Sequence, residues 1–206
     1  MRYVDFATLM ALSKTCPTFE QWVEAYLDRE YGAALEEYVD NSVGLRAAMR
    51  AFGAVISGSF ALAFFWRNER TTIYPRGLDI YVGHGLARRM AAYLKNVEGY
   101  GVVYVDYPGY EGYAGAAIIM HLQKGLRRVK IIESVTKSYL YPLGHLWSSH
   151  VMNYLGADQY CIAYPAYTLS GRALLSPGVV LHVAEIVTIY RYCLRGKFRL
   201  FLLASV

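Results

Sequence analysis

Cysteine is scarce in this chain: Cys16, Cys161 and Cys193 are odd in number and far apart. That pattern excludes a disulfide framework and a cysteine zinc site, and it predicts a reducing, intracellular setting. Charge is sparse too, at 18% of residues against 55% hydrophobic, which predicts a globular chain rather than a disordered one. Long apolar runs are missing. The longest, Gly53 to Trp66, is interrupted by Ser57 and Ser59 and falls short of the about 20 residues that span a bilayer. The opening residues carry an early Asp5 and no cleavage region, so no signal peptide is expected. Together these lacks predict a soluble intracellular protein, cytoplasmic or nuclear, with no membrane partner.

Several catalytic signatures are absent as well. No serine sits in G-x-S-x-G, which leaves serine hydrolysis without local support. No G-x-x-x-x-G-K-[ST] loop occurs, and the five histidines show no paired metal spacing. The run Gly83-His84-Gly85-Leu86-Ala87-Arg88 has Arg88 where a dinucleotide fingerprint needs its third glycine, and no acidic residue follows at the usual distance. No repeat and no Pro/Gly-rich linker divides the 206 residues, so one domain is expected over 1–206. Its expected parts are N-terminal helices over 1–52, a core over 53–175, and a C-terminal helix and tail over 176–206.

Basic residues, aromatics and a patterned middle are present. Lys plus Arg number 21 against 16 acids, a net charge of +5 that favours polyanionic partners such as nucleotides or nucleic acid. The longest basic run, Arg127-Arg128-Val129-Lys130, is short enough to be a solvated face. Tyrosine is plentiful at 20, able to stack on bases but equally suited to strands and cores.

Along the chain, Pro17-Thr18 with Gln21 has the form of a capping box, and Phe19, Trp22, Val23, Tyr26, Leu27 and Tyr31 follow at helical spacing. A second helical region runs from about Ala33 to Phe52, broken near Asp40 to Ser42, with Gly53 as its stop. A strand over Ala54 to Ser57 then meets Gly58-Ser59 and a helical apolar segment to Trp66. The turn Tyr74-Pro75-Arg76-Gly77 delivers a strand, Leu78 to Val82, in which Asp79 and Tyr81 face away from Leu78, Ile80 and Val82. A helix is predicted from about His84 to Val97, and strands over Gly101 to Tyr107, Gly115 to Gln123 and Arg127 to Ser134. Adjacent strands without helices between them suggest an antiparallel or mixed sheet. Further predictions are a helix His145 to Leu155, with His145 and Ser149 one turn apart, and a short strand within Asp158 to Ala163. A helix Leu181 to Leu194 is expected next, and Lys197 to Val206 reads as a last strand or a frayed tail.

The chemistry concentrates between Ala54 and Val82. A glycine ending a strand lets backbone approach a ligand, and the first amides of the next helix, with the Ser59 hydroxyl beside them, can hold phosphate oxygens. From local chemistry alone, an ordinary tight strand-to-helix turn is the simpler reading of Gly58-Ser59. Asp79 can hold a hard cation against those phosphates or can be a solvated strand-end acid. Glu133 ends a strand that is otherwise apolar, where it is either a further metal acid, a cap on the strand end, or a partner of Arg127 or Lys130.

These motifs carry a resemblance. Ile56 to Ser59 as I-x-G-S in I-S-G-S, Leu78 to Val82 as L-D-I-Y-V, Ile131 to Ser134 as I-I-E-S, His145 to Tyr154 as H-x-x-S-x-x-V-M-N-Y, and Tyr164 to Leu169 as Y-P-x-x-T-L resemble the nucleotidyltransferase superfamily. Within it they are most similar to uncharacterised nucleotidyltransferase-like proteins of mushroom-forming fungi. The likeness covers about Gly53 to Leu175. It implies an α/β (α+β) fold, a mixed sheet with flanking helices. It also implies Mg²⁺ or Mn²⁺ held by Asp79 and Glu133 as the catalytic and metal-binding acids, with the phosphates of a nucleoside triphosphate on Gly58 and Ser59. A nucleoside monophosphate would pass to an unknown acceptor, releasing pyrophosphate. Members of that family commonly have Asp-Leu-Asp where this chain has Gly77-Leu78-Asp79. Gly77 therefore keeps open a degenerate relative that binds nucleotide or acts through interactions, and the positive charge keeps open a nucleic-acid-binding module.

Overall fold

The first helix, α1 (Phe6–Ser13), starts where the Asp5 carboxylate accepts a hydrogen bond from Thr8 N at 2.7 Å, a cap that satisfies one of the open amides of the first turn. The structure is a computed structural model and describes residues 4–66, 73–108, 114–176 and, as backbone, 199–202. α2 (Pro17–Leu35) begins two residues earlier than a Thr18 cap would place it. Pro17 holds the first helical position, where its missing N–H costs nothing, and the Cys16 side chain makes no capping bond, so the expected capping box is not formed. Of the stripe read from the sequence, Val23, Tyr26, Leu27 and Tyr31 are buried, whereas Phe19 and Trp22 in the first turns are exposed. α3 (Ser42–Phe52) follows the expected break, with Asn41 accepting from Gly44 N and Gly53 left-handed at φ 57° as its stop.

The chain then lays down a seven-stranded mixed sheet in the order β3-β4-β5-β2-β1-β6-β7. Its strands are β1 (Val55–Ser57), β2 (Leu78–Val82), β3 (Gly101–Asp106), β4 (Ala116–Lys124), β5 (Arg127–Ser134), β6 (Tyr154–Leu155) and β7 (Tyr160–Cys161). Between them run α4 (Gly58–Phe65) and α5 (Ala87–Asn96). Within this sheet β2 and β5 pair in parallel, and the other neighbours are antiparallel. Beyond β7 come α6 (Pro165–Thr168) and a separate parallel pair, β8 (Arg172–Leu175) with β9 (Arg199–Leu202). The last-strand alternative for the tail is therefore the one seen at 199–202; the helix expected over 181–194 lies outside the described residues.

Alternation along the strands divides the core between the two faces of the sheet. Leu78, Ile80, Val82, Val129 and Ile131 join buried residues of all five helices from α1 to α5 in the main core. Val55, Tyr81, Ile119 and Ile132 face the other way, onto Leu143, Leu146, Trp147 and Val151. That second cover is not the helix expected over His145 to Leu155. It consists of 3-10 turns, Tyr141–His145 and Ser149–Val151, followed by β6. The departure has a local cause: Ser148, Ser149 and Asn153 bond backbone outside a helical ladder, to Leu174 O, from Leu174 N and to His150 O respectively.

Candidate functional site

β1 ends on Ser57, whose buried hydroxyl lies 3.0 Å from Val151 O and 2.6 Å from Asn153 O. That hydroxyl is thereby committed to holding the chain before β6. Gly58 then turns left-handed, φ 71°, to open α4. A Cβ there would stand 3.0 Å from Asp79 Oδ2. The glycine is needed both for its backbone angle and for the close approach of the carboxylate. Ser59 is half-buried in the first turn of α4. Gly58 and Asp79 thus stand together, with Ser59 next in the chain.

Residues paired in register share a face, and the register puts one row across the whole sheet. It reads Tyr104, His121, Lys130, Asp79, Ser57, Tyr154, Cys161, from β3 to β7. Lys130 Nζ is 3.7 Å from Asp79 Oδ1, with the two side chains 42% and 23% exposed. His121, next in the row, stacks on Tyr104 with ring centroids 3.9 Å apart. Partial burial first, and the Lys130 charge second, hold the His121 imidazole below its ordinary pKa, against the opposing pull of Asp106 and Asp79. The sequence reading missed Lys130 and His121 as companions of Asp79. Alternation puts Lys130 on the face opposite Val129 and Ile131, but only the β2–β5 register says which residue stands beside it.

Glu133 is placed elsewhere. It pairs in register with Val82 and so lies on the opposite face of the sheet from Asp79, and three residues further along, about 10 Å at strand rise. The carboxylate is buried there, with Oε2 accepting from Ala87 N at 2.8 Å and Oε1 3.5 Å from His84 Nδ1. It caps α5. Its partners are neither Arg127 nor Lys130, and the expected sharing of one cation between Asp79 and Glu133 is not realised. His145 and Ser149 are also separated: His145 is exposed at the end of a 3-10 turn, while buried Ser149 accepts from Leu174 N.

The position of the missing acid is closed. A Cβ on Gly77 would meet Arg128 O at 2.6 Å, and a backbone carbonyl inside a sheet cannot move aside as a side chain end can. A divalent cation needs several oxygen ligands at about 2.0–2.6 Å. Asp79 offers one carboxylate with an ammonium beside it, and among the described residues no group of three or more His, Cys, Asp or Glu is arranged to hold a metal. These residues do not fit Mg²⁺ or Mn²⁺. A cavity of about 180 Å³ lies nearby, lined by Tyr38, Phe60, Phe64, Ile73 and Pro75 among others. It is smaller than the roughly 300 Å³ at which ligand pockets usually begin.

No family model, curated protein or solved structure matches the chain. Among the described residues no helix is long and apolar enough to cross a membrane.

Proposed function

We propose that this chain is a nucleotidyltransferase-like protein that binds nucleoside triphosphates and does not transfer them. The resemblance of its motifs supplies the ligand class, and the pairing of Asp79 with Lys130, rather than with a second carboxylate, carries the choice of binding over catalysis. Gly58, Ser59 and the opening amides of α4 receive phosphate oxygens. Nucleotidyl transfer rests on positioning and on neutralising charge at the phosphates. Glu133 contributes nothing to that charge from the far face, and Gly77 leaves no room for another acid.

Thermal unfolding with a panel of nucleoside triphosphates, run beside a pyrophosphate-release assay, tests this. A ligand at about 100 times its dissociation constant adds roughly 2.7 kcal/mol to stability. Stabilisation without pyrophosphate above background is the expected result. Metal-dependent pyrophosphate release that disappears in Asp79→Asn would instead establish an active transferase with an acceptor still to be found. Salt-sensitive binding to oligonucleotides, with no response to mononucleotides, would identify a nucleic-acid module.

A further inference from the structure

The cavity of about 180 Å³ between the end of α2, α4 and residues 73–75 is too small for a drug-sized ligand, yet its lining is chemically selective. Tyr38, Phe60, Phe64 and Tyr74 supply aromatic walls. The Tyr38 and Phe60 rings meet at 85° with centroids 5.6 Å apart, so a guest is bounded by aromatic surfaces at right angles. Phe64 stands one turn after Phe60 on α4, and Tyr74, 69% exposed, borders the mouth. Glu37 is the charged residue in the described lining; it is exposed, and it has no hydrogen-bond or ion-pair partner among the described residues. The Tyr38 hydroxyl donates to Pro75 O at 2.9 Å, so the described lining keeps no side-chain donor for an anion. Burial first, and then the Glu37 and Asp79 charges, push that hydroxyl up to about 12. Negative potential therefore reaches the cavity wall.

We propose that this cavity binds a small methylated ammonium ion, with the rings as its walls and Glu37 as its counter-charge. The negative face of an aromatic ring attracts a cation that lies over it, more strongly where water is excluded. A primary ammonium would bring three N–H donors to a lining of rings and apolar side chains, and a donor left unpaired there costs free energy. Methyl groups replace those donors with apolar surface, which Ala34, Ala63 and Ile73 accept. At roughly 30 Å³ per water the cavity has room for about six waters, enough for a tetramethylammonium ion. A neutral guest of the same shape fills the space equally but gains nothing from Glu37. The site uses neither the turn at Gly58 nor a metal ion, so it stands or falls independently of nucleoside triphosphate binding.

Calorimetric titration of the full chain with choline, tetramethylammonium, ethanolamine and dimethylbutanol, the uncharged carbon isostere of choline, tests this. The variants are Glu37→Gln and Tyr74→Ala, both at exposed positions, each checked for an unchanged far-ultraviolet circular dichroism spectrum. Choline and tetramethylammonium are expected to bind, with ethanolamine and dimethylbutanol each weaker by about tenfold. Glu37→Gln is expected to weaken choline binding by about tenfold and Tyr74→Ala by about threefold, since the exposed ring is worth less than a desolvated one. Dimethylbutanol binding as tightly as choline would reveal an apolar cavity with no preference for charge and overturn the inference. Ethanolamine binding as tightly as choline would overturn the choice of a methylated ion. Choline binding unchanged in both variants would place the cation elsewhere, and no binding at tens of millimolar would leave the cavity without this ligand; either result overturns the inference.

Discussion

A carboxylate buried against a helix start stabilises it both by a hydrogen bond and by charge, and Glu133 does this for α5 through Ala87 N. Glu133→Gln keeps the shape and loses the charge. It is expected to lower stability by about 1 kcal/mol, read as a shift in urea midpoint, and to leave triphosphate affinity unchanged; a large loss of affinity would put Glu133 back in the site. At Gly77 the outcome is steric. Gly77→Asp drives its Cβ toward the Arg128 carbonyl and is expected to cost about 1–3 kcal/mol, the range for overpacking, without creating pyrophosphate release. An unchanged urea midpoint, or release of pyrophosphate, would refute that. The two residues also mark the limits of what spacing can reveal. Gly58 and Ser59 are local to one strand-turn-helix passage and Asp79 was legible as their companion from the order of the motifs, whereas Glu133 reached the same expected site only because nothing in one dimension fixes its face relative to Asp79.

Helices α2 and α3, the break between them and the strands β1 to β5 were legible from hydrophobic period and stop signals, within a few residues at their ends. α5 starts at Ala87 rather than near His84 because the amide that Glu133 caps is Ala87's. The stretch before β6 was not legible. Trp147, Val151, Tyr154 and Leu155 recur at a spacing that fits a helix, yet polar side chains there compete for the backbone. Asn153 is the centre of this: it is fully buried, donates from Nδ2 to His150 O at 2.8 Å and accepts from Ala163 N at 3.1 Å. Asn153→Ala leaves both backbone groups without those bonds, and a loss on the order of 3 kcal/mol is expected at about 1–3 per stranded group. Denaturant unfolding measures it, and a change below about 0.5 kcal/mol would mean that the turns hold without this hub.

For the whole molecule, buried ionisable groups set how stability follows pH. Burial pushes the His150 imidazole down from 6.5 to about 3, while its Nδ1 lies 2.8 Å from Ser148 Oγ. The folded protein keeps this ring neutral, and the unfolded chain takes up a proton below about 6.5. Its contribution to stability is therefore complete above about pH 6.5 and is lost as pH falls toward about 3, at up to about 1.4 kcal/mol per pH unit. Urea midpoints between pH 7 and pH 5 are expected to fall more steeply for the parent protein than for His150→Gln, whose lower stability varies less across that window. Equal slopes would show that His150 does not govern this range. The sequence by itself determined the class of the fold, a mixed α/β arrangement, and the strand-glycine-helix passage at Gly58, because hydrophobic period and turn chemistry act between near neighbours; that Asp79 stands beside Gly58 was decided by the β1–β2 register. Only the tertiary structure decided that Asp79 stands beside Lys130, that Glu133 serves α5 from the other face, and that Gly77 abuts Arg128. Each of those depends on which strands pair, in which direction and in which register, and a shift of one residue in register would exchange one face for the other.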